Sequence, residues 1–261
     1  MMTVEEAATM LSAHWYGDDL VFSDVSTDSR QIKAGDLFVA LSGDRFDGHD
    51  YISDTIKHGA VAALVSRNIA NIKSPQRFGW IQVADTRSAL GQLASRWRDR
   101  FSLPLVAVTG SNGKTTVKEM IASIFTKAAL HQLNSEIGSP IDKVLATIGN
   151  LNNDIGVPLT LLKLRQQHAY AVVEMGMNHA GEIAYLTRLA KPDIAVITNA
   201  GAAHIEGLGS IESVAHAKGE IFQGLGKSGV AVINADDDYA QLWYQLAGNR
   251  RVISFGLNSK A

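Results

Sequence analysis

The chain has 261 residues, a formal net charge of −2, a hydrophobic fraction of 46% and no cysteine. This length favours two domains over one large core, because domains commonly run to about 100–200 residues. Dispersed Lys and Arg argue against a nucleic-acid partner, and the lack of cysteine excludes disulfides and thiolate metal sites. No apolar run reaches the length of about 18 residues that a membrane span needs, and the acidic start lacks a signal-peptide core. We therefore expect a monomeric cytoplasmic protein without membrane insertion.

The first 84 residues are predicted to form a small α/β domain. Its expected elements are a helix over 4–13, strands at 20–26, 35–41, 60–65 and 80–83, and a loop at 66–79. Leu90, Leu93 and Trp97 recur at three- and four-residue intervals, which predicts an amphipathic helix over 86–100. We assign that helix to the second domain, at 85–261.

From residue 105 onward strands and helices alternate, which favours a mostly parallel sheet with helices on both faces. Strands are expected at 169–174, 194–199 and 251–256, with two more that begin near 105 and at 230. Helices are expected at 114–126 and 213–225, with another that begins near 239. Residues 131–142 look like an irregular insertion to which the sequence gives no function. Asp236 and Asp237, after the strand at 230, could equally cap a turn or serve an active site.

Residues 105 to 118 join an apolar strand to a helix through a glycine-rich turn. Gly110 and Gly113 allow the backbone to turn sharply and to direct its N–H groups inward, Lys114 adds a positive charge, and the hydroxyl of Thr115 can ligate Mg²⁺. The usual motif has four residues between its glycines, whereas only Ser111 and Asn112 stand here. The pattern predicts a phosphate-binding loop; the alternative is a chance Gly-Lys-Thr in a surface turn.

The predicted strand at 169–174 ends on Glu174. In a parallel sheet its carboxylate lies at the same edge as the phosphate loop. Mg²⁺ takes hard oxygen ligands, usually one or two carboxylates with phosphate and water. Glu174 is therefore the predicted second protein ligand after Thr115; the alternative is a strand-end glutamate that faces solvent.

Four motifs together resemble the Mur ligase family. They are Asp-Ser-Arg at 28–30, Gly-Asp-Leu-Phe-Val-Ala-Leu at 35–41, Phe-Asp-Gly-His-Asp at 46–50 and Thr-Gly-Ser-Asn-Gly-Lys-Thr-Thr at 109–116. Taken alone, the polar residues 27–30 could simply form a turn. Within the family this first domain holds the uridine diphosphate part of the substrate, so the resemblance implies contacts from Ser29, Arg30, Asp44, Arg45 and Phe46. An arginine can pair bidentately with diphosphate oxygens.

The amide-rich run at 149–158 reads as a loop from its composition. It is similar to a run that distinguishes the family members that add D-alanyl-D-alanine. The resemblance therefore implies that UDP-N-acetylmuramoyl-tripeptide and D-alanyl-D-alanine are the substrates, with Asn152 and Asn153 at the substrate.

The resemblance also implies a second Mg²⁺. A lone histidine is more often structural and a helical lysine is usually solvated, but the family places a metal ligand at the position of His204 and a carbamylated lysine at that of Lys218. The implied catalytic residues are Lys114, Lys218 and His204, and His179 is a candidate base by position alone. The residues expected to bind ATP are Gly110, Ser111, Asn112, Gly113, Lys114, Thr115, Thr116 and Asn199.

The implied reaction is ATP-dependent amide bond formation through an acyl phosphate, in peptidoglycan precursor synthesis. The family carries a third, C-terminal domain, so this chain is expected to be a fragment with little or no ligase activity by itself. Two alternatives stay open: another Mur-type or folylpolyglutamate-type ligase, and a non-catalytic nucleotide-binding module.

Overall fold

The computed structural model describes residues 1–44, 46–72, 77–132, 140–202 and 205–258. Its contacts divide the chain into two compact units, residues 1–97 and 98–261. The sequence predicted a boundary near residue 84, with the next helix in the second domain. In the structure that helix groups with the first unit: the hydroxyl of Thr86, at its start, donates to the carbonyl of Ala40 at 2.9 Å. Within the described ranges, no helix is long and apolar enough to cross a membrane.

The first unit has a five-stranded sheet in the order β2-β9-β8-β5-β4, parallel except for the β2–β9 pair. Its strands are β1 (Met2–Thr3), β2 (His14–Gly17), β3 (Val21–Phe22), β4 (Asp24–Ser26), β5 (Asp36–Val39), β6 (Ser42–Gly43), β7 (Phe46–Asp47), β8 (Ala62–Val65) and β9 (Gly79–Gln82). Its helices are α1 (Val4–Leu11), α2 (Ile52–Lys57) and α3 (Thr86–Arg98), with a 3-10 turn at Gly48–Tyr51. Two short antiparallel pairs, β1–β3 and β6–β7, stand beside this sheet.

Local chemistry explains several of these elements. A capping box starts α1: the hydroxyl of Thr3 accepts from the amide of Glu6, and the Glu6 carboxylate accepts from the amide of Thr3, both at 3.1 Å. The strand predicted at 20–26 is broken at Ser23, whose amide donates to the carbonyl of Gly35 at 2.8 Å. The sequence prediction did not include β2 or the β6–β7 hairpin.

The second unit has a six-stranded sheet in the order β11-β12-β10-β13-β14-β15, and every neighbouring pair is parallel. Its strands are β10 (Leu105–Thr109), β11 (Val144–Ala146), β12 (Tyr170–Glu174), β13 (Ile194–Ile197), β14 (Val230–Asn234) and β15 (Arg251–Phe255). Its helices are α4 (Lys114–Gln132), α5 (Gly156–Leu161), α6 (Glu182–Ala190), α7 (Ile205–Leu208), α8 (Ile211–Gly219) and α9 (Ala240–Ala247), with 3-10 turns at Pro140–Lys143 and Glu220–Gly224. The predicted parallel sheet flanked by helices is confirmed.

Two predicted boundaries differ from the structure, and a third prediction falls largely outside the described residues. The helix α4 runs six residues past the predicted end at 126, through the strong helix formers from Lys127 to Leu130. The predicted loop at 149–158 ends early because α5 begins at Gly156, where Asn153 Oδ1 accepts the amide hydrogen at 2.8 Å. Most of the predicted insertion, residues 133–139, lies outside the described residues.

Candidate functional site

The phosphate loop leaves β10 at Thr109 and enters α4 at Lys114. A Cβ atom on Gly110 would lie 1.8 Å from Thr198 Oγ1, so only glycine fits against the residues that follow β13. Gly113 has φ of +77°, a left-handed conformation that glycine adopts without strain. The two glycines therefore have different roles: the first permits close approach to a neighbouring strand, and the second permits the turn.

Lys114 curls back over the loop that precedes it. Its Nζ donates to the carbonyl of Gly110 at 2.8 Å and to that of Ser111 at 3.3 Å. Burial lowers the pKa of Lys114, and the nearby charge of Glu174 acts in the opposite direction. The positively charged ammonium group of Lys114 thus lies at the mouth of the loop, beside the first amides of α4, which lack intrahelical partners.

The exit of β13 clamps the phosphate loop. Asn199 Oδ1 accepts from the amide of Asn112 at 2.9 Å, and Asn199 Nδ2 donates to the carbonyl of Asn112 at 3.0 Å. Thr198 adds a hydroxyl bond to the same carbonyl at 2.7 Å. Asn199, predicted to contact ATP, therefore holds the loop itself in this structure. Thr198 was not predicted, and no sequence pattern singles it out.

Glu174 is buried and lies against α4. Its Oε2 accepts from Thr115 Oγ1 at 2.8 Å, and its Oε1 accepts from Asn152 Nδ2 at 2.8 Å; the residue is 2% exposed. It does not face solvent, so the alternative reading of a solvated strand end is wrong. The prediction that Glu174 and Thr115 lie together is confirmed by this contact.

This oxygen pair suits Mg²⁺. A carboxylate and a hydroxyl are hard donors, and Mg²⁺ commonly takes one or two carboxylates and completes its shell with phosphate and water. In the described part of the chain, no group of three His, Cys, Asp or Glu side chains forms a metal cluster. The residues present therefore fit a magnesium ion shared with a nucleotide better than an all-protein metal site.

The amide-rich run supplies internal contacts. Besides its bond to Glu174, Asn152 accepts the amide hydrogen of Gly176 on its own carbonyl at 2.8 Å. Asn153 Oδ1 accepts the amide hydrogens of Ile155 and Gly156 at the start of α5. Both side chains thus have structural partners, and the predicted substrate contacts of Asn152 and Asn153 stay predictions.

Lys218 is a buried lysine on α8. Ser210 caps this helix, and Trp243 Nε1 on α9 donates to the carbonyl of Ala215 at 3.0 Å, which holds the two helices together. Lys218 is 1% exposed, and burial together with the charge of Lys114 lowers its pKa to about 7. The reading of a solvated lysine is therefore wrong.

Other predicted site residues have different outcomes. His204 lies outside the described residues. His179 is exposed, and its amide donates to Glu182 Oε2 at 3.2 Å.

Asp237 accepts from the amide of Ala200 at 2.9 Å and from that of Tyr239, so it caps a turn and also holds the exit of β13. Asp236 accepts from the amides of Leu257 and Asn258.

The first unit contains a cleft of about 600 Å³. It brings together Ser29, Arg30 and Phe46, three of the predicted substrate contacts. The guanidinium of Arg30 makes two bonds to Asp28, at 2.9 and 2.8 Å, and holds the pKa of that carboxyl at about 2. Asp44 is exposed and is not among the residues that line the cleft, and Arg45 lies outside the described residues. Tyr51 and His58 also line it, and the sequence did not predict them.

A buried histidine fixes the hairpin that carries Phe46. His49 Nδ1 lies 2.5 Å from Asp47 Oδ1, and His49 Nε2 accepts from the amide of Ser66 at 2.9 Å. These contacts assign the proton to Nδ1. Arg67 Nη1 completes the network with a bond to Asp47 Oδ2 at 3.0 Å. The hairpin β6–β7 is thereby tied to the end of β8.

The parallel sheet, the glycine loop at the carboxyl end of β10 and the Thr115–Glu174 pair define an α/β domain of the P-loop nucleotide-binding class. Residues 108–261 match the model of the Mur ligase middle domain, and residues 22–98 match the model described as Mur ligase family, catalytic domain. The chain belongs to the Mur ligase family.

Similar proteins include the UDP-N-acetylmuramoyl-tripeptide–D-alanyl-D-alanine ligases of Escherichia coli, 43% identical over 99% of this chain, and of Bacillus subtilis, 39% identical over 93%. The chain covers 53% and 50% of those proteins, so it spans about half the length of the curated relatives it matches. Among solved structures, MurF of Acinetobacter baumannii aligns with a TM-score of 0.85 at 36% identity, over 98% of this chain and 53% of that one. MurF of Thermotoga maritima in complex with ADP aligns with a TM-score of 0.75 at 32% identity, over 93% and 52%.

Proposed function

We propose that this chain supplies the nucleotide-binding and UDP-substrate-binding parts of an ATP-dependent ligase that joins D-alanyl-D-alanine to UDP-N-acetylmuramoyl-tripeptide. The observation that carries the proposal is the buried contact between Thr115 and Glu174 beside the phosphate loop. The names of the relatives over nearly the whole chain support the choice of substrates.

The reaction has two steps. A carboxylate oxygen of the tripeptide attacks the γ-phosphorus of ATP, the bond to the bridging oxygen breaks, and ADP leaves. The dipeptide amine then attacks the carbonyl carbon of the acyl phosphate, inorganic phosphate leaves, and the nitrogen loses a proton. Catalysis of such transfers rests mainly on positioning and on electrostatic stabilisation.

The residues around the phosphate loop have separate tasks in this proposal. Lys114 and the first amides of α4 hold the outer phosphates, and Asn199 keeps the loop in shape. Thr115 and Glu174 would hold a magnesium ion, which neutralises charge on the transferring phosphate when it is bound. His204 and Lys218 would serve a second ion, as the family resemblance implies.

We extend the proposal to carbamylation of Lys218. A carbamate forms when a neutral amine attacks CO₂ through its nitrogen lone pair and then loses a proton. Burial and Lys114 bring the pKa of Lys218 to about 7, so a large share of its amine is neutral near neutral pH. Mass spectrometry of the intact protein without acidification, with and without bicarbonate, tests this: the proposal expects a carboxyl adduct with bicarbonate, and its absence under both conditions contradicts it.

The cleft of the first unit is proposed to bind the uridine diphosphate end of the substrate. Arg30 matches the geometry of diphosphate oxygens, Ser29 can bond to a base edge, and Phe46, which is 56% exposed, offers a ring for stacking. The structured hairpin behind Phe46 presents that ring without a large ordering cost.

Calorimetric titration separates this function from its alternatives. The chain is titrated with UDP-muramoyl-tripeptide, with UDP-muramoyl-dipeptide and with folate. Preferential binding of the tripeptide is expected; preference for the dipeptide or folate favours another ligase of the family. Binding of ADP without any of the three would favour a non-catalytic nucleotide module. The cytoplasmic location stays a prediction.

A further inference from the structure

Lys118 is a buried cation that the proposed reaction does not use. It lies one turn after Lys114 on α4 and is 1% exposed. Its Nζ donates to the carbonyl of Thr147 at 2.8 Å and to Glu119 Oε1 at 2.5 Å. Since the Glu119 side chain is 65% exposed, the carbonyl of Thr147 is the buried partner of this charge.

Thr147 carries the contact onward to Glu174. It follows β11, and its Oγ1 accepts the amide hydrogen of Glu174 at 2.9 Å. The Glu174 side chain then returns to α4 through its bond with Thr115. A closed ring of contacts results, which leaves α4 at Lys118, passes through Thr147 and Glu174, and re-enters α4 at Thr115, three positions earlier.

We propose that Lys118 is a positioning residue: through Thr147 it sets Glu174 for the divalent cation that accompanies the nucleotide. This inference rests on the proposed function. A buried ammonium is expensive unless its hydrogens are bonded, and a neutral side chain of similar length would fill the same space. What the charge adds is a stronger, charge-assisted bond to the Thr147 carbonyl. Groups that orient a metal ligand from behind commonly change metal affinity by about 10- to 100-fold.

A purely structural brace predicts something different. If Lys118 only joined α4 to β11, its loss would lower the stability of the second unit and leave the effect of Mg²⁺ on nucleotide binding unchanged. If Lys118 positions Glu174, its loss weakens that effect while the phosphate loop, held separately by Asn199, still binds the nucleotide.

The test compares Lys118→Met with Lys127→Met, an exposed lysine on the same helix. The ADP dissociation constant is measured by calorimetry in EDTA and in excess Mg²⁺. The constant in EDTA divided by the constant in Mg²⁺ measures the coupling between cation and nucleotide. We expect Lys118→Met to lower this ratio about tenfold or to abolish it, with the constant in EDTA unchanged. Hydrogen exchange at the Glu174 amide should accelerate beyond the global loss of protection, and Lys127→Met should change neither quantity.

An unchanged ratio in folded Lys118→Met overturns the inference, as does unchanged exchange at Glu174. If Lys118→Met does not fold, Thr147→Val removes the hydroxyl at the next link, and the same two outcomes apply to it. If the unsubstituted chain binds no ADP, the proposed function fails, and the exchange at Glu174 then decides alone whether Lys118 controls that residue.

Discussion

Thr115 donates its hydroxyl hydrogen to Glu174 at 2.8 Å, although 59 positions separate the two residues. The contact follows from topology, because β10 and β12 are parallel neighbours with Val108 opposite Glu174. Thr115, which follows the phosphate-loop lysine, and Glu174, at the end of the neighbouring strand β12, therefore lie at the same edge of the sheet. This convergence makes a hard-oxygen pair beside a phosphate-binding loop.

Substitution of the two loop glycines should separate close packing from backbone conformation. Gly110→Ala would bring a Cβ atom to 1.8 Å from Thr198 Oγ1, so overpacking should cost about 1–3 kcal/mol of unfolding free energy and displace the loop. Gly113→Ala meets no atom within 4 Å and should cost only the left-handed strain of about 1–2 kcal/mol. Urea unfolding of both variants measures the difference. A Gly110→Ala protein as stable as the unsubstituted chain would contradict the packing described for Thr198.

Lys218 should destabilise the fold at neutral pH. Its pKa falls from 10.5 to about 7 on folding, so between those values the unfolded chain binds more protons than the folded one. Stability should therefore rise with pH from about 7 to about 10, and the cost is fully present below that window. In CO₂-free buffer, Lys218→Met should be more stable at pH 7 by up to a few kcal/mol and should lack the rise. Lys127→Met is the matched control, and a Lys218→Met protein with the unchanged pH profile would refute the account of its burial.

Asp47 should contribute stability that acid removes. Burial raises its pKa, but the hydrogen bonds from His49 and Ser42 together outweigh this effect, and the resulting pKa is about 2. Because the folded value lies below the usual 3.8, the contribution is complete above about pH 4 and is lost as the pH falls through 2. Asp47→Asn should cost about 2 kcal/mol at pH 7 and should flatten the acid limb of the stability curve.

Asp50→Asn is the control for that substitution, since Asp50 also pairs with Arg67 but is 67% exposed. Thermal unfolding between pH 2 and pH 7 compares the two variants. Equal losses in both would mean that the surface ion pair with Arg67, and not the buried histidine network, stabilises the hairpin.

The parts of the site that the sequence predicted depend on strand ends. The position of Glu174 beside the phosphate loop could be predicted because the carboxyl ends of parallel strands share one edge, a rule that needs only the strand pattern; its role as a magnesium ligand stays a prediction. Asn199 follows β13 at the same edge of the sheet, yet its side-chain amide binds the phosphate loop. Composition cannot distinguish an amide that faces a ligand from one that faces its own backbone.

The parts that the sequence missed depend on tertiary neighbours. Periodicity shows that α3 has a buried face but not which sheet covers it, so the sequence could not show that α3 groups with the first unit. Strand β2 carries the exposed pattern of an edge strand and lacks the alternation that predicts strands. Lys118 reads as an ordinary helical lysine, because only the fold places Thr147 within reach of its ammonium.

The most direct test of the proposed magnesium-nucleotide site is ADP titration of the unsubstituted chain and of Glu174→Gln, each in EDTA and in excess Mg²⁺. Glu212→Gln, an exposed glutamate on α8, is the control. We expect Mg²⁺ to tighten ADP binding in the unsubstituted chain and in the control, and we expect this gain to be lost in Glu174→Gln while binding in EDTA persists. An equal gain from Mg²⁺ in Glu174→Gln would contradict it.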